Sequence, residues 1–120
     1  MEYMILIHGD ENYEQPAPGD PGFDEMMKAW TTYNQTLIDG GHWLSGAMLA
    51  PTTTATTVRK SYNGAPAIVD GPFAETKEQL GGYYLISAKD LDEAIALATD
   101  IPVPVGSIEV RPVALMANAG

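Results

Sequence analysis

Val69 to Ile86 reads VDGPFAETKEQLGGYYLI, and its punctuation decides the fold. A strand runs into Asp70, and Asp70-Gly71-Pro72-Phe73 then makes a rigid turn. Asp accepts hydrogen bonds from backbone two residues on, Gly71 gives freedom where Pro72 restricts its predecessor, and Pro72 fixes its own φ. Phe73, an apolar ring directly after the turn, is expected to plug into the body of the protein. Thr76 and Gln79 have capping-box spacing, which predicts one brief helical turn over Glu75 to Leu80. Gly81-Gly82 then releases the chain into a second strand, Tyr83 to Ser87.

Downstream, Tyr84 and Ile86 alternate with Tyr83 and Leu85, so this strand is apolar on both faces. Asp90 and Glu93 mark a helix start, and Leu91, Ala94, Ile95, Leu97 and Ala98 form its apolar side. Ile101-Pro102-Val103-Pro104 stops that helix. Ser107 to Val113 is the last strand, followed by a small-residue tail that is expected to fray.

Upstream, Asn63-Gly64 is a hairpin signal, and it predicts that Thr57–Tyr62 pairs with Ala65–Val69. His42 to Ala50 reads as a strand closed by Pro51. Before it, Phe23, Met26, Met27, Trp30, Tyr33, Leu37 and Ile38 lay one stripe along a helix ending at Gly40-Gly41. Asp20-Pro21 has the form of its N-cap and first position. Glu11 to Gly22 is a surface loop, and Met1 to Ile7 is another strand apolar on both faces.

Strand, helix, strand, hairpin, strand, helix, strand is the order of a ferredoxin-like α+β sandwich with an antiparallel sheet and an extra β-hairpin. The chain of 120 residues is expected to form a single domain, 1–120. The first strand and the strand after the turn lie centrally. Two helices cover one face only, so a homodimer with facing sheets is expected, its pocket between sheet and loops.

Sixteen acidic against six basic residues give a formal charge of −10, which repels nucleic acid and anionic lipid. No apolar run suffices to span a bilayer, no signal peptide is seen, and cysteine is absent. The cytoplasm is the expected compartment.

VDGPFAETKEQLGGYYLI resembles the DGPF-domain proteins of the YCII-related superfamily. So do the Asp90-Leu91-Asp92-Glu93-Ala94 helix start, the Ile108–Val113 strand, Tyr3–Ile7 and Ala55–Arg59. The resemblance implies the dimeric α+β barrel type of ferredoxin-like fold, in a bacterial family whose members mostly lack an established function. Simpler YCII relatives are credited with a His–Asp pair whose His sits on the first helix, and a few relatives act on chlorinated aromatic rings. Here Met26 to Leu37 holds no histidine; His8 and His42 lie at strand ends instead. Other DGPF relatives are linked to extracytoplasmic-function sigma factors, which implies a non-catalytic regulatory partnership as the alternative.

The polar candidates are therefore Asp70 with His42 or His8 as acid–base groups, and Arg59, Phe73 and Glu75 as ligand contacts. A histidine near a carboxylate is the usual solution to proton transfer near neutral pH. Asp70 stands at a strand end, where functional side chains collect, but a lone Asp before Gly-Pro more often caps its turn. Arg59 would suit an anionic ligand or a salt bridge to Glu75, Glu109 or Asp70. No His-x-His or His-Glu-x-x-His spacing occurs, so no metal is expected, and no glycine loop cradles phosphate. No cofactor is expected. The reading this supports is a small-molecule site, lyase- or isomerase-like, near Asp70.

Overall fold

The computed structural model describes residues 1–117; residues 118–120 of the tail expected to fray lie outside the described residues. The elements are β1 (Glu2–Asp10), α1 (Phe23–Asp39), β2 (Trp43–Met48), β3 (Thr56–Arg59), β4 (Ala67–Asp70), β5 (Glu78–Ser87), α2 (Leu91–Thr99) and β6 (Gly106–Pro112). Four strands form one antiparallel sheet in the order β2-β5-β1-β6, and β3 and β4 form a separate antiparallel pair. This is a ferredoxin-like α+β fold. The two strands that read apolar on both faces, β1 and β5, are the central ones.

Strand periodicity sorts the side chains. Tyr3, Ile5 and Ile7 of β1 and Tyr84 and Ile86 of β5 point to one face, where they meet Tyr33 and Leu37 of α1 and Ala94 and Ala98 of α2. Both helices therefore cover the same face. Ile5, Leu37 and Ile86 are fully buried, each worth about 1.5–3 kcal/mol of transfer free energy. The opposite face carries Met4, Leu6 and His8 of β1 beside Tyr83 and Leu85 of β5, with Glu109 and Arg111 on β6. No helix lies over it, and its apolar members are half-buried.

Three aromatic rings organise the core. Tyr84 packs at 5.5 Å from Tyr33 and 5.8 Å from Trp43, centroid to centroid. Buried hydroxyls need partners. The Tyr33 hydroxyl donates to the Leu97 carbonyl at 2.8 Å, tying α1 to α2, and the Tyr84 hydroxyl donates to Asn34 Oδ1. Burial favours the neutral phenols, so the Tyr84 pKa is pushed up to about 12, and burial, then the charges of Tyr84 and Asp100, raise Tyr33 further.

This has a measurable consequence. A phenol whose folded pKa lies above its unfolded value stabilises the fold fully below the unfolded pKa, about 10. That contribution falls as pH rises from there through about 12. Stability should therefore drop by about 1.4 kcal/mol per pH unit for Tyr84 alone in that window. Tyr84→Phe should flatten the drop in urea melts taken between pH 9 and pH 12, as assay conditions of about one-unit steps. An unchanged slope would sink this account.

The helix ends show which local signals prevailed. The N-cap of α1 is Gly22 at φ +87, not Asp20, because the Asp20 carboxylate turns back to accept from the Ala17 N–H at 2.9 Å. The C-terminus falls at Gly40-Gly41 as the glycines predict. At α2 the expected cap forms: the Asp90 carboxylate accepts from the Glu93 N–H at 2.9 Å, and Glu93 Oε1 accepts from the Lys89 N–H.

Two local expectations are corrected. There is no helical turn over Glu75–Leu80, since β5 already begins at Glu78. The Gln79 amide instead donates to the Ala74 and Thr76 carbonyls, and the Thr76 hydroxyl donates to the Glu78 carbonyl, so the pair folds a tight bend. Gly81-Gly82 lies inside β5 rather than ahead of it. Ile7 pairs with Gly82 and His8 with Leu80, leaving Gly81 as the extra residue of a bulge.

The hairpin also differs from the two-residue Asn63-Gly64 turn. Val58 pairs with Ile68 and Arg59 with Ala67, so residues 60–66 form the connection. Pro66 has no N–H to give to the ladder, which ends beyond it at Ala67. The register is one residue from the predicted one. That slip puts Val58 and Ile68 directly opposite each other on one face.

Candidate functional site

The chain leaves the sheet at one end. Leu49 N–H donates to the Gly81 carbonyl, and Pro51 and the single 3-10 turn Thr52–Thr54 lead into β3. β4 returns to the Asp70-Gly71-Pro72-Phe73 turn. Gly71 sits at φ +106, a conformation that only glycine adopts without strain. Its N–H donates to the Ala55 carbonyl at 2.8 Å, and its carbonyl accepts from the Thr57 hydroxyl at 2.8 Å. The turn is thus fastened to the base of β3 through backbone.

Asp70 pairs across from Thr56 and is exposed, and its carboxylate forms no ion pair or hydrogen bond among the described residues. Phe73 does not plug into the body: it is 79% exposed. The physical reason is that the turn belongs to the β3–β4 hairpin, whose strands are not hydrogen-bonded to the main sheet, so no core surface lies against the ring. Arg59 and Glu75 are exposed too, and neither has an ionic partner among the described residues. Glu109, one expected partner of Arg59, takes Arg111 from its own strand instead.

The two histidines stand apart. His42 N–H donates to the Leu37 carbonyl, and His42 Nδ1 lies 2.8 Å from the Ser87 carbonyl oxygen and 3.9 Å from Glu93 Oε1. It therefore ties the end of α1 to the end of β5. Ser87 faces Glu2 in the register, whereas His8 faces Leu80. Those positions are six residues apart along β1, about 20 Å at about 3.3 Å per residue. The Asp70 turn departs from the far end, so the structure does not bring His42 to it. His8 lies on the helix-free face, with Nε2 at 3.8 Å from Glu109 Oε1. Glu109 is held below the usual carboxylate range, chiefly by its hydrogen bond from Arg111 and in smaller part by His8.

The group that the structure does assemble is at the His8 end of the sheet. A cleft of about 600 Å³ opens between the end of β1, the end of β2 and the start of β5. Met48, Leu49 and Leu80 supply its apolar lining, and Asp10, Glu11 and Gln79 its polar lining. Met48 is 90% exposed. The Asp10 side chain is only 12% exposed; it accepts from the Asn12 N–H at 2.9 Å and stands 3.8 Å from Lys77 Nζ. Glu11 accepts from the Thr52 hydroxyl. Apolar side chains beside carboxylates suit a ligand with an apolar body and a cationic or hydrogen-bond-donating head.

Asp10 and Glu11 were not among the expected site residues. Their signal was nonetheless present, because Asp10 ends a strand apolar on both faces just as Asp70 ends its own strand. A second hollow of about 410 Å³, between α2 and β6, is lined by Ile95, Ile101, Val103, Ile108 and Val110 and presents no titratable side chain. No described helix is long and apolar enough to cross a membrane.

Comparison with known proteins agrees with the fold. The chain is 39% identical over 118 residues to an uncharacterized protein of Rhizobium meliloti (strain 1021), an alignment covering 96% of this chain and 94% of that protein. The YCII-related domain matches residues 1–117, a span that holds every strand and helix named above. With its β2-β5-β1-β6 sheet and its DGPF turn both inside that span, the chain belongs to the YCII-related family.

Proposed function

We propose that this protein is a homodimeric small-molecule-binding protein whose ligand sits in the cleft beside Asp10, at the sheet end from which the DGPF turn departs. The cleft is the observation that carries this reading: it sets exposed apolar side chains beside a nearly buried carboxylate. His8, on the helix-free face, pairs with Leu80 of the cleft lining. The two-copy part rests on that face, where Met4, Leu6, Tyr83 and Leu85 have no helix over them. A second copy placed face to face would bury them.

The test is calorimetric. Arylalkyl amines and matched arylalkyl carboxylates are titrated into the protein. The amines should bind and the carboxylates should not, since Asp10 and Glu11 would repel an anionic head. Asp10→Asn should weaken amine binding at least about tenfold, the equivalent of about 1.4 kcal/mol for a charge-assisted contact. Asp70→Asn is made in parallel, and its circular dichroism should match wild type because the turn is held by Gly71 backbone. If Asp10→Asn binds as wild type does, or no amine binds, the assignment of the cleft fails.

A further inference from the structure

The two oxygens of the Asp10 carboxylate are served differently. Oδ1 accepts from the Asn12 N–H at 2.9 Å, a full hydrogen bond. Oδ2 faces Lys77 Nζ at 3.8 Å. That separation offsets charge but exceeds the roughly 2.7–2.9 Å of a charge-assisted hydrogen bond. Among the described residues Oδ2 accepts no hydrogen bond. It keeps contact with solvent, since no shielded side-chain oxygen among the described residues lacks a hydrogen-bond partner. On a side chain so nearly buried, such an oxygen gains from a direct donor. The oxygen left for a ligand's head is therefore the one that Lys77 stands beside.

Lys77 is the movable half of the pair. Its side chain is 76% exposed, and an ion pair with so exposed a member is weak. The backbone that carries it is fixed by other groups. The Gln79 amide donates to the Ala74 and Thr76 carbonyls, and the Thr76 hydroxyl donates to the Glu78 carbonyl. Moving the ammonium away therefore needs side-chain rotation alone, with no opening of the bend. Charge holds it in place: Glu11 follows Asp10, and Glu78, opposite Asp10 in the β1–β5 register, follows Lys77. Of the chain's four lysines, Lys77 alone forms an ion pair with a carboxylate among the described residues.

We propose that Lys77 is the specificity-determining residue of the cleft: its ammonium group holds the place at Asp10 Oδ2 that a ligand's cationic head takes, and it yields to a cation that donates a hydrogen bond. A second cation beside an undisplaced Lys77 would set like charges together at one carboxylate, so the two occupancies exclude each other. A primary ammonium group replaces Lys77 and makes the hydrogen bond that Oδ2 lacks. A quaternary ammonium group replaces the charge alone and gains nothing by the exchange. The ligand class is thereby narrowed to primary and secondary amines with an apolar body. This deepens the reading of the cleft given above and rests on it.

Calorimetric titration of phenethylamine and of phenethyltrimethylammonium tests it. Wild type should bind the primary amine at least about tenfold more tightly than the quaternary ion. Lys77→Met removes the competing charge, so it should bind phenethylamine about two- to fivefold more tightly, the range set by a weak exposed pair. Its affinity should also fall more steeply with salt, because the ligand then meets a carboxylate that has no counter-ion. Lys77→Arg keeps a competing cation and should bind phenethylamine no more tightly than wild type. Circular dichroism should be unchanged in both variants, since Gln79 and Thr76 hold the bend. An affinity of Lys77→Met at or below that of wild type overturns the exchange and leaves the cleft reading standing, and so does parity of the two cations in wild type. A wild type that binds neither cation overturns both readings.

Discussion

Ile5→Ala should destabilise the protein by about 2–5 kcal/mol, a large part of the 5–15 kcal/mol typical of a small domain. Ile5 is fully buried in the middle of β1, the strand that pairs with β5 on one side and β6 on the other. Removing its branched end leaves a void between the sheet and both helices, which relax only in part. Leu6, one residue on, points to the face without helices and is half-buried. Leu6→Ala should cost the isolated fold less than half as much, and urea unfolding of the two variants makes the comparison. Equal losses would mean that the helix-free face is packed as tightly as the core.

Gly106→Ala should be the most damaging of the glycine changes. Gly106 opens β6 at φ +153, and a Cβ there would stand 2.1 Å from the His8 carbonyl oxygen and 3.1 Å from Gly9 Cα. Those contacts are backbone, so no side chain can move aside. Either β6 separates from β1 at its start or the strained φ is abandoned, at a cost of about 3 kcal/mol from overpacking and backbone strain together. Gly9 is its partner in the ladder, yet a Cβ on Gly9 meets nothing within 4 Å. Gly9→Ala should therefore lie within about 1 kcal/mol of wild type. Thermal melts separate the two, and amide exchange should show the loss in Gly106→Ala concentrated at Ser107–Glu109. Parity between the two alanine variants would contradict the close approach seen here.

How much of this was legible follows from the range of each interaction. The apolar alternation of Tyr3, Ile5 and Ile7 against Met4 and Leu6 is a local property, and it placed β1 at the centre of the sheet correctly. The Asp90–Glu93 cap acts within one turn and formed as read. The Thr76–Gln79 spacing is equally local, but the same hydrogen-bonding groups satisfy a bend as readily as a helix, and the ladder with β1 decided between them. Asp20 lost its cap for a similar reason, since its carboxylate accepts from the Ala17 N–H instead. For the site, the strand-end rule named Asp70 and passed over Asp10, because nothing local states which strand end meets a cleft.

Alternating grease, turn residues and caps determined by themselves the element order and the central pair of strands, because each depends on neighbours a few residues away. Only the folded chain decided that His42 and the DGPF turn lie at opposite ends of the sheet, that Asp10 borders the cleft, and that the hairpin stands off the body. Those outcomes depend on long-range pairing and on a one-residue register, where the gain from burial is settled by what lies across the sheet and not by what lies next along the chain.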